Sequence, residues 1–156
     1  MATVILAGCG GSGAPKPQSQ QWQAVGGAGF GFQAPAGWKI ERVKSRVSAT
    51  SGSELVQVST FPLLKSYDDK LFGRVDSELR SRMQDIARQT GGKLNASRTV
   101  VADGVRSHAY EVTAGEQVDE YTFVLSRKRE DLLLCRRNSS DGVGICKHLV
   151  TSFARR

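Results

Sequence analysis

No apolar run in this 156-residue chain approaches the ~20 residues that carry a helix across a bilayer, so the sequence given holds no spanning helix. Histidine is scarce, with two in the chain, and CxxC and HExxH are absent, which removes the zinc-ribbon and zinc-peptidase patterns. GxSxG and the P-loop are absent as well, which removes the nucleophile elbow and that phosphate cradle. "GGAGFGF" has glycines at 27, 29 and 31, but it lacks the spacing of a dinucleotide loop and leads into a strand pattern rather than a helix. Aromatic residues make up only 7% and fall at core spacing, leaving no stacking platform for nucleic acid.

What is present is a globular composition, 39% hydrophobic and 24% charged, with a net charge of +7. One domain with a real core fits this length. The basic balance favours acidic partners, among them anionic headgroups and acidic polymers.

The three cysteines are Cys9, Cys135 and Cys146. In an exported protein an odd count leaves one thiol unpaired, unless other chemistry uses it. Cys9 ends the stretch Leu6-Ala7-Gly8-Cys9, which fits the bacterial lipobox: an aliphatic residue, two small residues, then cysteine. Small residues let a peptidase approach the backbone, and the thiol takes a diacylglyceryl group. Its two acyl chains suffice for a stable anchor. The competing reading is a buried cysteine after a short strand. Residues 1–8 then read as the remnant of a lipoprotein signal. An export signal ordinarily has a basic start and about seven to fifteen apolar residues. Here no Lys or Arg precedes the apolar stretch, and a start codon placed too far downstream would explain the shortened signal, while the sequence itself does not tell whether the true start lies upstream of Met1. Residues 9–28 read as the lipidated cysteine followed by a Gly/Ser/Pro/Gln tether, in which Trp22 and Val25 could dock on the domain.

The folded domain is expected over 29–156. "FGFQAPAGWKIE" reads as strand, turn and short strand, and "RVSATSGSELVQVSTFPL" as a hairpin turning at Ser51-Gly52-Ser53. Phe72, Val75, Leu79, Met83 and Ile86 form one apolar stripe, placing a helix over about 68–90 that stops at Gly91-Gly92. Asp103-Gly104 and Ala114-Gly115-Glu116 are hairpin turns, "VDEYTFVLS" is a strand, "RKRED" a polar turn and "LLLCRR" the last strand. Cys146, Leu149, Val150 and Phe153 mark a final helix. Short links between successive strands imply an antiparallel meander, so the fold class is α+β, an antiparallel β-sheet flanked by helices.

Cys135 lies on the last expected strand and Cys146 on the final helix. A helix folded back over the sheet edge would bring them together, and outside the cytoplasm that pair should be a disulfide. Two buried thiols are the alternative. A metal site is the weakest reading, because only His148 stands nearby.

The basic clusters are Arg127-Lys128-Arg129 and Arg136-Arg137, flanking one hairpin, with Arg155-Arg156 at the end. They read either as contact with anionic lipid or a partner, or as a solvated hairpin tip. His108 and His148 read as rim residues rather than bases. A hydrolase using His108 with Ser107 or Ser126 and Asp119 can be drawn, and it stands as the alternative function. No catalytic residue, metal or cofactor is otherwise indicated.

The opening turn with Pro35, Gly37 and Trp38, Gly104 before a strand, and Ser152-Phe153 at the end, in this order of elements, resemble the PsbP-like family. That fold also includes the Ran-binding protein Mog and bacterial LpqN-type lipoproteins. The resemblance covers about residues 29–154. It implies an α/β/α sandwich and a non-catalytic role, since members bind protein partners or act as accessory subunits, and the lipobox points to the lipoprotein branch. The expected protein is therefore a lipoprotein held to the cell membrane on its extracytoplasmic face. Its partner would be a protein or a small molecule, and nucleic acid is disfavoured.

Overall fold

The computed structural model describes residues 19–156. Cys9 and the stretch expected to be a lipobox, Leu6-Ala7-Gly8-Cys9, lie outside them. Among the described residues ten strands form two sheets, accompanied by two α-helices. The larger has seven strands in the order β3-β4-β5-β9-β8-β7-β6, with β3 at Lys39–Val43, β4 at Arg46–Ser51, β5 at Glu54–Pro62, β6 at Lys93–Ala102, β7 at Val105–Ala114, β8 at Gln117–Ser126 and β9 at Arg129–Asn138. The smaller has three strands in the order β1-β2-β10, with β1 at Trp22–Gly27, β2 at Phe30–Pro35 and β10 at Ala154–Arg155. Every pairing is antiparallel. Helix α1, Phe72–Gln89, covers one face of the large sheet, and α2, Gly144–Ser152, packs with the small sheet on the other.

Strand alternation sorts the side chains between these layers. Leu133 and Cys135 of β9 point to the small sheet and α2, where they meet Val56, Val58, Phe30 and Leu149. Leu132 and Leu134 point to the α1 layer, with Tyr110, Tyr121 and Phe123. The α1 stripe buries Leu79 and Met83, with Val75 and Ile86 at its margins. A single 3-10 turn, Asp69–Leu71, precedes the helix, and the Asp68 carboxylate accepts the Lys70 N–H at 2.8 Å to open it. The helix ends in a Schellman arrangement: Gly92 N–H donates to Ala87 C=O at 2.8 Å and Gly91 N–H to Arg88 C=O at 3.2 Å. Gly91 has φ +69°, and a Cβ on Gly92 would collide with the Thr113 carbonyl, so each glycine has its own reason to be there.

The turns at 52–53, 103–104 and 115–116 fall where the sequence places them. Three boundaries move. The tether expected over 9–28 loses its last part to β1, whose Val25 is 2% exposed, so the domain begins at Trp22 rather than 29. Its glycines masked the strand. Gly27 is glycine because the Phe30 ring occupies the space a Cβ would need, not because the chain is loose there. The polar turn "RKRED" shrinks to Arg127-Lys128, since Arg129 pairs with both Ser126 and Pro62 as part of β9. β9 is also not the last strand: β10 pairs with β2 after α2, and two residues carry no periodicity to reveal it.

Candidate functional site

Cys135 on β9 and Cys146 on α2 are disulfide-bonded, with their Cα atoms 5.3 Å apart and both side chains buried. The bond removes the free-thiol and metal readings of this pair. His148 stands on the same helix with its ring stacked on Trp22 at 3.5 Å, and Nε2 is 2.7 Å from Gln33 Oε1.

The basic clusters do not form one patch. Seven register steps of the β8–β9 hairpin separate the Ser126–Arg129 pair from the Asp119–Arg136 pair, about 23 Å of strand at ~3.3 Å per step. Arg136 makes a two-pronged pair with Asp119, at 2.8 and 2.9 Å, on the α1 face. Arg137 points to the opposite face and is held between Glu111 at 3.4 Å and Glu120 at 3.6 Å. Arg129 bonds the fully buried Asp131, which also holds Arg155 at 2.7 Å. Arg127 and Lys128 stay exposed, with no acidic partner among the described residues.

His108 is buried on the α1 face of β7 under the first turn of the helix. Its ring stacks on Phe72 at 3.7 Å, Nε2 is 3.0 Å from the Phe72 carbonyl, and Nδ1 is 3.5 Å from Asp76 Oδ1. Tyr110 donates to the same Asp76 oxygen at 2.6 Å. Burial pushes the His108 pKa below its ordinary value, with Asp76 pulling it partly back. The bond from Tyr110 holds Asp76 low, and burial drives the Tyr110 hydroxyl up. None of the residues drawn with His108 in a triad joins it. Ser107 alternates to the other face and bonds the Val105 carbonyl, Ser126 bonds the Arg129 carbonyl, and Asp119 is taken by Arg136.

A cleft that the sequence did not reveal runs between α1 and the segment after β5. It encloses about 640 Å³ and is floored by Leu63, Leu71, Val75, Leu79 and Leu125. Arg74, Glu78, Arg82 and Glu130 supply its polar groups. Arg82 reaches Glu130 at 3.5 Å and lies 5.5 Å over the Phe123 ring. Burial raises the Glu130 pKa, opposed by Arg82. The outer wall is fixed by two backbone bonds: Leu63 N–H donates to Lys128 C=O at 2.9 Å, and Tyr67 N–H to Arg127 C=O at 3.0 Å. The signal in the sequence was "PLLKSY", an apolar pair that belongs to neither the strand alternation before it nor the helical stripe after it.

An apolar floor with a few converging charged groups is what binding clefts present. The described residues thus form an antiparallel α+β domain with a disulfide and a cleft beside its long helix. The fold is PsbP-like. The cyanobacterial PsbP (CyanoP) of Synechocystis sp. PCC 6803 superposes with a TM-score of 0.65 at 19% identity, covering 97% of this chain and 99% of that one. A structure from Bacteroides thetaiotaomicron matches at a TM-score of 0.47 and 9% identity over 81% of this chain and 45% of that one, too distant to carry weight. No protein-family model matches the chain, and no curated protein matches it.

Proposed function

We propose that this protein is a lipoprotein held through Cys9 on the extracytoplasmic face of the cell membrane. Its domain serves as a non-catalytic binding or accessory module, with the cleft beside α1 as its docking site. The observation that carries the binding role is the cleft itself: an apolar floor of Leu63, Val75, Leu79 and Leu125 with Arg82 and Glu130 at its edge. Leu6-Ala7-Gly8-Cys9 supports the anchor, and the Cys135–Cys146 disulfide supports an oxidising compartment. The setting of His108 supports a structural role over the hydrolase alternative: the ring is buried and stacked on Phe72, Nε2 is held by the Phe72 carbonyl at 3.0 Å, and Ser107, Ser126 and Asp119 are all engaged elsewhere. With β1 beginning at Trp22, twelve residues from Gly10 to Gln21 remain to link lipid and domain, a reach of up to about 40 Å.

Cell fractionation tests the anchor. Cys9→Ser should move the protein out of membranes washed in about 1 M salt, which strips proteins held by charge alone. Retention of the variant after that wash would refute the anchor. A photocrosslinker at Val75 should capture a partner that one at Lys39, on the far edge strand, does not. Equal capture at both positions would refute the cleft as the docking site.

A further inference from the structure

At one end of the large sheet, apolar and basic side chains share an exposed tip. Leu64 is 99% exposed and Phe61 is 41% exposed, and Val43 at the β3–β4 turn is 42% exposed, so apolar side chains cluster at this end rather than stand singly. Lys65 follows directly. The two backbone bonds from Leu63 and Tyr67 pin this segment against the β8–β9 turn, so Arg127 and Lys128 stand beside it. A third bond, Thr60 N–H to Ser45 C=O at 2.9 Å, brings the β3–β4 turn with Lys44 to the same end. Besides Glu78 and Glu130, which line the cleft together with Lys65, the nearby acids are Asp68 and Asp69. Asp68 is occupied by the Lys70 N–H, and both aspartates follow the loop rather than surround its tip.

We infer that this tip is a second, reversible membrane contact. Leu64 inserts among the acyl chains, while Lys44, Lys65, Arg127 and Lys128 lie against anionic headgroups. The charge selects an acidic surface, and the apolar residues select a bilayer over a soluble polyanion, because a polymer of phosphates or carboxylates offers Leu64 nothing. The inference rests on the extracytoplasmic lipoprotein reading. β1 runs toward this end, since the Gly26 carbonyl accepts from Arg42 near the β3–β4 turn and Gly29 lies against Arg129, while Gln23 bonds the Trp38 carbonyl at the other end, so the tether leaves the domain there. Ten-residue strands of about 33 Å lie between the two ends, within the tether's reach of up to about 40 Å. The domain can then stand on its tip while Cys9 stays anchored, with the cleft, which Leu63 and Lys65 line, opening near the headgroups.

The test uses the full chain carrying Cys9→Ser, so that no lipid anchor contributes, in cosedimentation with vesicles of phosphatidylcholine alone or with about one third phosphatidylglycerol. Binding to the anionic vesicles should fall about fivefold for each basic residue removed, hence about 25-fold in Arg127→Ser/Lys128→Ser. Leu64→Ser should cost about tenfold. Lys39→Ser/Lys93→Ser makes the same charge change at the other end of the sheet and should change binding less than twofold. Equal losses in the two double variants, or unchanged binding of Leu64→Ser, would overturn the tip as an inserting contact. Binding to a soluble polyanion with Leu64→Ser unaffected would assign the patch to polymers instead. Because the anchor is read separately, by salt-washed fractionation of cells, failure here leaves that result standing, and the converse also holds.

Discussion

Reducing the Cys135–Cys146 disulfide should lower stability by about 2.7 kcal/mol, and replacing both cysteines by alanine should lower it further. The two residues are eleven apart in sequence, and closing a loop of that size in the unfolded chain removes about 9 cal/mol/K of entropy, which gives that figure near 25 °C. The described domain runs from residue 19 to 156 and unfolds with about 0.3 kcal/mol/K of entropy, so the melting temperature should drop by about 9 °C. Circular dichroism melts of the oxidised protein, the reduced protein and the double variant would measure this. The reduced protein keeps every buried sulfur, so its difference from the oxidised form isolates the cross-link. The variant adds the packing loss at two sites that are each 2% exposed. Helix α2 should stay docked in both, because Leu149 and Phe153 are 1% and 2% exposed and hold it without the bond. A drop under about 2 °C on reduction would refute the loop-closure argument. Loss of all folded signal at 25 °C would refute the independent docking of α2.

Asp131→Asn should cost about 3 kcal/mol or more, because its fully buried carboxylate faces both Arg129 and Arg155 and their charges would be left uncompensated; urea unfolding measures it, and a loss below 1 kcal/mol would sink the argument. Stability should also fall as pH drops from 7 toward 5. His108 has its folded pKa pushed below 6.5 by burial, so the unfolded chain binds the extra proton first, and the stability present above 6.5 is lost below it. His148, lowered by burial as well, acts with the same sign. His108→Gln should therefore reduce the slope of melting temperature against pH without abolishing it, and an unchanged slope would count against the burial of that ring.

The sequence by itself determined whatever depends on neighbours along the chain. The period of Phe72, Val75, Leu79, Met83 and Ile86 sets α1 because a helix turn is local, and Gly91-Gly92 ends it for the same reason. Asp103-Gly104 fixes a hairpin because its two residues alone supply the positive φ values of +51° and +72°. Two cysteines on adjacent expected elements foretold their bond. The tertiary structure decided what depends on chains meeting from a distance. The sheet recruits Trp22–Gly27 because Val25, opposite Phe32 on β2, is buried in the core there, whatever its glycines signal locally. Asp131 draws Arg129 and Arg155 inward, and Asp119 draws in Arg136, so three arginines that read as surface charge are held in ion pairs. Burial supplies the reason: an acid that is 0% or 4% exposed must find a cation, and register alone dictates which one arrives. The same register carries Lys65, Arg127 and Lys128 to one end of the sheet and leaves Leu64 uncovered among them.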